Sequence, residues 1–255
     1  MSPMRSLWVG GFAVFGLTLL VTTVARAQIA PKDGCADCHI ATPTAPGQAH
    51  VLDWDRSPHG RASVGCSACH GGNPGTFERV LAHKGIVGST NPESPLHRQN
   101  VPATCGKCHA GPFVAFQTSR HYELLRTGRY DGPTCITCHG ETAGRVLSAK
   151  ALASQCARCH GPKEVAPRPG RVEATRELYE SVGVVREQMK LAQKLIKQVN
   201  DKTRRAELTM AYQQAEVPLI RAVDAGHKFV YDDLRENLAR AQDRVTALMA
   251  RMVNR

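Results

Sequence analysis

Cys35-Ala36-Asp37-Cys38-His39 is the first of five copies of one pentapeptide pattern, and the fold follows from how that pattern is read. The other copies are Cys66-Ser67-Ala68-Cys69-His70, Cys105-Gly106-Lys107-Cys108-His109, Cys135-Ile136-Thr137-Cys138-His139 and Cys156-Ala157-Arg158-Cys159-His160. All ten cysteines of the chain lie in these copies. C-x-x-C-H is the attachment signature of c-type haem: two thiols close thioether bonds to the vinyl groups, and the next histidine ligates the iron. A zinc site would pair one Cys-x-x-Cys with a distant second pair and would not need a histidine at the following position every time. A dithiol redox site would need one copy in a βαβ setting, not five in Pro- and Gly-rich sequence. The expectation is five covalent haem c groups. Cys35, Cys38, Cys66, Cys69, Cys105, Cys108, Cys135, Cys138, Cys156 and Cys159 form the attachments, and His39, His70, His109, His139 and His160 are the proximal iron ligands.

The N-terminus points to export. Arg5 supplies a positive start, Leu7 to Val24 is apolar apart from glycines and threonines, and Ala25-Arg26-Ala27 fits the A-x-A cleavage rule. Residues 1–27 are thus expected to be a signal peptide cut after Ala27, with the mature chain in the periplasm, where haem c attachment takes place. No cysteine at the cleavage site indicates a lipid anchor.

The formal charge of +11 does not make this a nucleic-acid binder. Loss of Arg5 and Arg26 with the signal peptide lowers it by two to +9. Ten haem propionates, ionised near neutral pH, would bring the holoprotein close to zero. Nor does residues 35–160 carry the apolar periodicity of a self-sufficient core, with aromatics only 5% of the chain. A segment of that size needs staples or metals, and here the porphyrins would be the core, wrapped in loops and short helices.

After Pro167-Arg168-Pro169-Gly170 the pattern changes. Leu178, Val182, Val185, Met189, Ala192, Ile196 and Val199 recur at spacings of four and three, as do Leu234, Leu238, Ala241, Val245, Leu248 and Met252. Those are amphipathic helical stripes. Asn200-Asp201 separates the first helix from a middle one over Thr203 to Ala225, with a kink expected near Pro218. The fold class is therefore mainly α: a loop-rich, haem-packed region over 28–170, then long antiparallel helices over 171–255.

Five proximal histidines leave six others: His50, His59, His83, His97, His121 and His227. Five irons need at most five distal ligands, so one is spare if every haem is bis-histidine. None of the six lies between His139 and Cys156, so at least one haem must take its ligand from far away, which suits His227 beyond the last motif. Met189, Met249 and Met252 belong to the helical stripes and are read as core. Individual pairings stay open at this level.

Trp54-Asp55-Arg56-Ser57-Pro58-His59-Gly60, Ala82-His83 after Cys69-His70-Gly71-Gly72, and Phe116-Gln117-Thr118-Ser119-Arg120-His121 resemble distal-ligand segments of the multihaem cytochrome c superfamily. That group includes the tetrahaem cytochrome c of ammonia oxidisers, pentahaem nitrite reductase and hydroxylamine oxidoreductase. Gly132-Pro133-Thr134-Cys135-Ile136-Thr137-Cys138-His139-Gly140 and the C-terminal helices with His227 are similar too. The resemblance implies His59, His83, His121 and His227 as distal ligands, with His50 or His97 the fifth; His97, in Ser94-Pro95-Leu96-His97, is preferred. The chain departs from the enzymes of that group. It has no Cys-x-x-Cys-Lys motif like that of the catalytic haem of pentahaem nitrite reductase, and hydroxylamine oxidoreductase carries more haems.

The expected role is electron transfer between a donor and an acceptor redox protein, ahead of substrate conversion. The alternative is a small reductase or oxidase of a nitrogen or sulfur oxyanion at one five-coordinate haem, with His50 or His97 as acid or base and a nearby Lys or Arg binding the anion. Membrane-complex association and self-association through the C-terminal helices are the further partner expectations.

Overall fold

In the computed structural model, residues 33–128, 132–142 and 147–253 are described, and every regular element among them is a helix. The signal segment expected over 1–27 lies outside the described residues. Thirteen helices follow in order: α1 Gly34–Ala41, α2 Gln48–Arg56, α3 Pro58–Arg61, α4 Ser67–His70, α5 Arg79–Ala82, α6 Val101–Gly106, α7 Ala110–Gln117, α8 Arg120–Arg126, α9 Cys135–His139, α10 Ala149–His160, α11 Pro169–Lys197, α12 Lys202–Lys228 and α13 Tyr231–Val253. The mainly-α expectation holds. None of the described helices is long and apolar enough to cross a membrane.

The last three helices make their own core. Val182, Val185, Met189, Ala192 and Ile196 of α11 are buried against Leu208, Ala215, Leu219, Ala222 and Ala225 of α12 and Leu234, Leu238, Ala241, Val245 and Leu248 of α13. These are the residues of the sequence stripes, so period and burial agree. Met249 and Met252 pack at the edge of the same core, whereas Met210 is exposed. Asp201 caps α12, its carboxylate accepting from the Arg204 amide at 2.6 Å. At the same end Arg204 Nη2 donates to the Arg251 carbonyl at 2.7 Å, which sets the start of α12 beside the end of α13 and makes that pair antiparallel. α12 continues through Pro218, which is buried in the bundle and forfeits one helical hydrogen bond.

Residues 33–160 are built differently. Short helices follow the pentapeptides closely: α1 and α9 each contain a whole motif, α10 ends on one, and α4 and α6 carry parts of two more. Two cysteines three apart on a helical turn share a face, with the histidine at the end of the turn. Caps fix where these turns start. Asp33 accepts from the Cys35 amide at 2.9 Å, and Thr134 and Thr137 form a reciprocal capping box on α9. The apolar core here is small: Ala36, Val51 and Trp54 cluster against Cys66, while Phe77, Val80, Leu81 and Val114 stay more than half exposed. That distribution suits flat apolar groups lying against the chain.

Candidate haem sites

Each of the five motif imidazoles faces one other histidine. Ring centroids are 6.0 Å apart for His39 and His83, 6.0 Å for His70 and His50, 5.9 Å for His109 and His59, 6.3 Å for His139 and His227, and 5.9 Å for His160 and His121. A transition-metal bond to an imidazole nitrogen is about 2.0 Å and the ring centre lies about 1.1 Å beyond, so two imidazoles on opposite sides of one ion stand about 6 Å apart. No described cluster of three or more His, Cys, Asp or Glu side chains could hold a bare ion. Pairs are what an iron needs when a macrocycle supplies its other four ligands. The residues therefore fit haem.

Second contacts orient the rings. The Nδ1 of His39 lies 3.0 Å from the Pro46 carbonyl, that of His59 3.1 Å from Thr142, and that of His83 2.8 Å from Arg79. Likewise His160 is 2.7 Å from the Ala166 carbonyl and His227 2.9 Å from Val223. A carbonyl only accepts, so each Nδ1 carries the proton and donates, leaving Nε2 as the bare nitrogen a metal takes. His121 differs: its Nδ1 is buried without a partner, and the Phe229 ring packs edge-on with centroids 4.1 Å apart.

Local sequence explains how several of these histidines are presented. Ser57 and Ser119 are buried N-caps, accepting from the Gly60 amide at 3.2 Å and the Tyr122 amide at 3.1 Å. His59 and His121 follow two residues later, on the first turns of α3 and α8. Both segments also begin with a buried aromatic, Trp54 or Phe116, so aromatic-x-x-Ser-x-His is one device used twice. His50 lies in the first turn of α2 and His83 caps the end of α5. His227 sits in the last turn of α12, and Phe229, at φ 59°, closes that helix in a left-handed conformation.

The resemblance favours His97 over His50 as the fifth distal ligand, whereas it is His50 that stands opposite a motif histidine, His70. No motif imidazole faces His97. It is buried in a run of turns, its amide bonded to the Ser94 carbonyl and its carbonyl to the Asn100 and Val101 amides, and its Nδ1 has no hydrogen-bond partner. The turns carry its ring into the protein, while the first turn of α2 brings His50 to His70.

Neighbouring motifs touch in chain order. Burial opposes ionisation of the Asp33 carboxylate, but hydrogen bonds from the Cys35 thiol and then from the amides of Cys35, Cys66 and Ser67 hold its pKa below the ordinary carboxylate value and join motifs one and two. Burial and the Asp33 charge together push the Cys35 thiol up to about 12. Cys69 lies within electrostatic reach of Cys105 and Cys108. The Cys105 and Cys135 thiols share a hydrogen bond that lowers Cys105 to about 7 and raises Cys135. Burial lifts Cys138 to about 11, with Cys156 adding to the effect from motif five. Packing of α6 on α9 and of α9 on α10 gives the same order for the last three. Burial also lowers the pKa of His70, with His50 and His39 adding to it, and that of His121 to about 4, with His160 and Arg168 adding to it.

Residues 90–161 match the family model for cytochrome c7 and related cytochrome c, and residues 21–71 that for cytochrome c554 and c-prime. Two curated sequences, both named C-type polyheme cytochrome OmcB, are similar as well. They come from Geobacter sulfurreducens strains DL-1/KN400 and ATCC 51573/DSM 12127/PCA, each 31% identical over 125 residues. These matches support a multihaem c-type cytochrome. Both family models describe proteins that carry covalently bound haem c. The similarity spans 45% of this chain but only 14% of the length of those relatives. The two family matches together reach all five motifs and leave α11–α13, with His227, outside. No solved structure matches the chain.

Proposed function

We propose that this chain carries five haem c groups, each between two histidines, and passes electrons between redox proteins in the periplasm after removal of residues 1–27. The pairs are His39 with His83, His70 with His50, His109 with His59, His139 with His227, and His160 with His121. One observation carries the proposal: five separate pairs of imidazoles at the spacing of trans metal ligands. When bound, each haem supplies a one-electron ferric/ferrous couple. The chain's own residues set its surroundings: cysteines anchor the ring, the Nδ1–H bonds orient and strengthen the ligands, and the caps hold the turns. A second imidazole opposite each motif histidine would give every haem two protein ligands, which favours electron transfer over substrate binding at the iron. The haem region over 28–170 draws on the helices of 171–255 for one ligand, His227.

Two measurements on exported holoprotein test this. Mass spectrometry counts haems and locates the N-terminus; five haems on a chain starting at Gln28 are expected. Ferric EPR with carbon monoxide titration of the reduced protein reads ligation. Fully low-spin spectra and no carbon monoxide complex are expected. A high-spin ferric signal or a carbon monoxide complex in the unmutated protein would replace the relay with the enzyme reading. Sedimentation of the same sample tests self-association through the C-terminal helices.

A further inference from the structure

The five haem positions are not equivalent, and the last one stands apart in three ways. Among the facing imidazoles, only His121 has an Nδ1 that is both buried and unpartnered. Its opposite number, His160, keeps its carbonyl bond. A ligand imidazole that donates from Nδ1 gains basicity and stabilises ferric iron, so its absence favours the ferrous state. Next, Arg168 is anchored beside this site, its amide donating to the His160 carbonyl at 2.9 Å and its guanidinium within electrostatic reach of His121. A nearby cation again disfavours the more positive ferric form. Finally, the Phe229 ring covers His121 at 4.1 Å and also meets Phe116 at 6.2 Å, keeping polar acceptors off Nδ1. Phe229 holds φ 59°, a left-handed conformation that a non-glycine residue keeps only where its surroundings enforce it.

We infer that the motif-five haem has the highest reduction potential of the array, and that Phe229 is the positioning residue that keeps it so by denying His121 a hydrogen-bond acceptor. This rests on the bis-histidine reading above. Because the motifs adjoin in chain order, the electron sink then lies at one end of the row, where an oxidising redox protein would collect. Each transfer moves one electron from a ferrous to a neighbouring ferric iron, with no bond made or broken. The electrons come from a one-electron donor protein and leave to a one-electron acceptor protein.

Spectroelectrochemical titration of the holoprotein tests the inference, using Phe229→Asn and Arg168→Gln. Asparagine tolerates the left-handed backbone and offers an amide acceptor. In Phe229→Asn the highest-potential wave is expected to move down, by about three- to tenfold in the ferrous:ferric ratio at the wild-type midpoint, as the net energy of one hydrogen bond implies. Arg168→Gln, on an exposed side chain, should move the same wave the same way, so the test survives if Phe229→Asn fails to fold. The other four waves should stay put. Movement of a lower wave, or no movement in either variant, overturns the inference. In both variants ferric EPR should stay low-spin. A high-spin signal or carbon monoxide binding in the unmutated protein would instead remove the bis-histidine reading itself.

Discussion

His50→Ala and His97→Ala, made side by side, separate the two candidates for the fifth distal ligand. His50 faces His70 with centroids 6.0 Å apart and ring planes at 86°, whereas His97 faces no motif histidine. Removing His50 takes one of the ten facing imidazoles and leaves one iron in five with an open position. The reduced variant should bind about one carbon monoxide per five haems, and one-fifth of the low-spin ferric signal should become high-spin. His97→Ala should do neither, since it deletes a buried ring whose Nδ1 has no partner. The angles identify which signal is lost. Near-perpendicular axial rings leave the iron dπ orbitals almost degenerate and give one dominant low-field feature; near-parallel rings split them and give a rhombic triplet. The His70–His50 haem belongs to the first kind, and His139–His227, at 6°, to the second. His50→Ala should erase low-field intensity and spare the triplet, and His227→Ala should erase the triplet. Carbon monoxide binding in His97→Ala, or an unchanged low-spin count in His50→Ala, refutes the reasoning.

Other consequences are open to routine measurement. Leu248 is 2% exposed in the bundle core, so Leu248→Ala should destabilise the holoprotein by about 2–5 kcal/mol in denaturant titration. Ser57→Ala and Ser119→Ala each remove an N-cap and should cost about 1 kcal/mol, with ligand loss confined to motifs three and five respectively. Asp33 binds protons less tightly folded than unfolded, so its contribution is full above its unfolded pKa of about 4 and fades as pH falls through the lower folded value. Asp33→Ala should therefore lower thermal stability at pH 7 by more than at pH 3; an equal loss at both would place its role elsewhere.

Much of the site was legible because its chemistry is local. A thioether pair needs two cysteines on one helical turn with the ligand histidine next in line, and that requirement is written in consecutive residues. The bundle was legible for a similar reason, since Val182, Val185, Met189 and Ile196 are buried by the period that nominated them. The Ser57 and Ser119 caps carried a readable signal, the shared aromatic-x-x-Ser-x-His spacing, though it said nothing about which iron each histidine meets. Phe229 carried none. A single phenylalanine after a helix reveals neither its left-handed backbone nor the ring it covers.

Sequence alone, then, determined the five Cys-x-x-Cys-His motifs, the helical class and the stretch without histidine between His139 and Cys156, from which haem attachment and a distant ligand are expected. Tertiary structure decided the partners. His83 returns to motif one, His50 meets motif two, His59 reaches forward to motif three, His121 passes over motif four to motif five, and His227 comes back from α12 to motif four. No periodicity encodes those crossings. Opposed imidazoles must meet at about 6 Å across chain separations with no fixed length, and only the packing of turns, caps and helices in three dimensions sets which of them do.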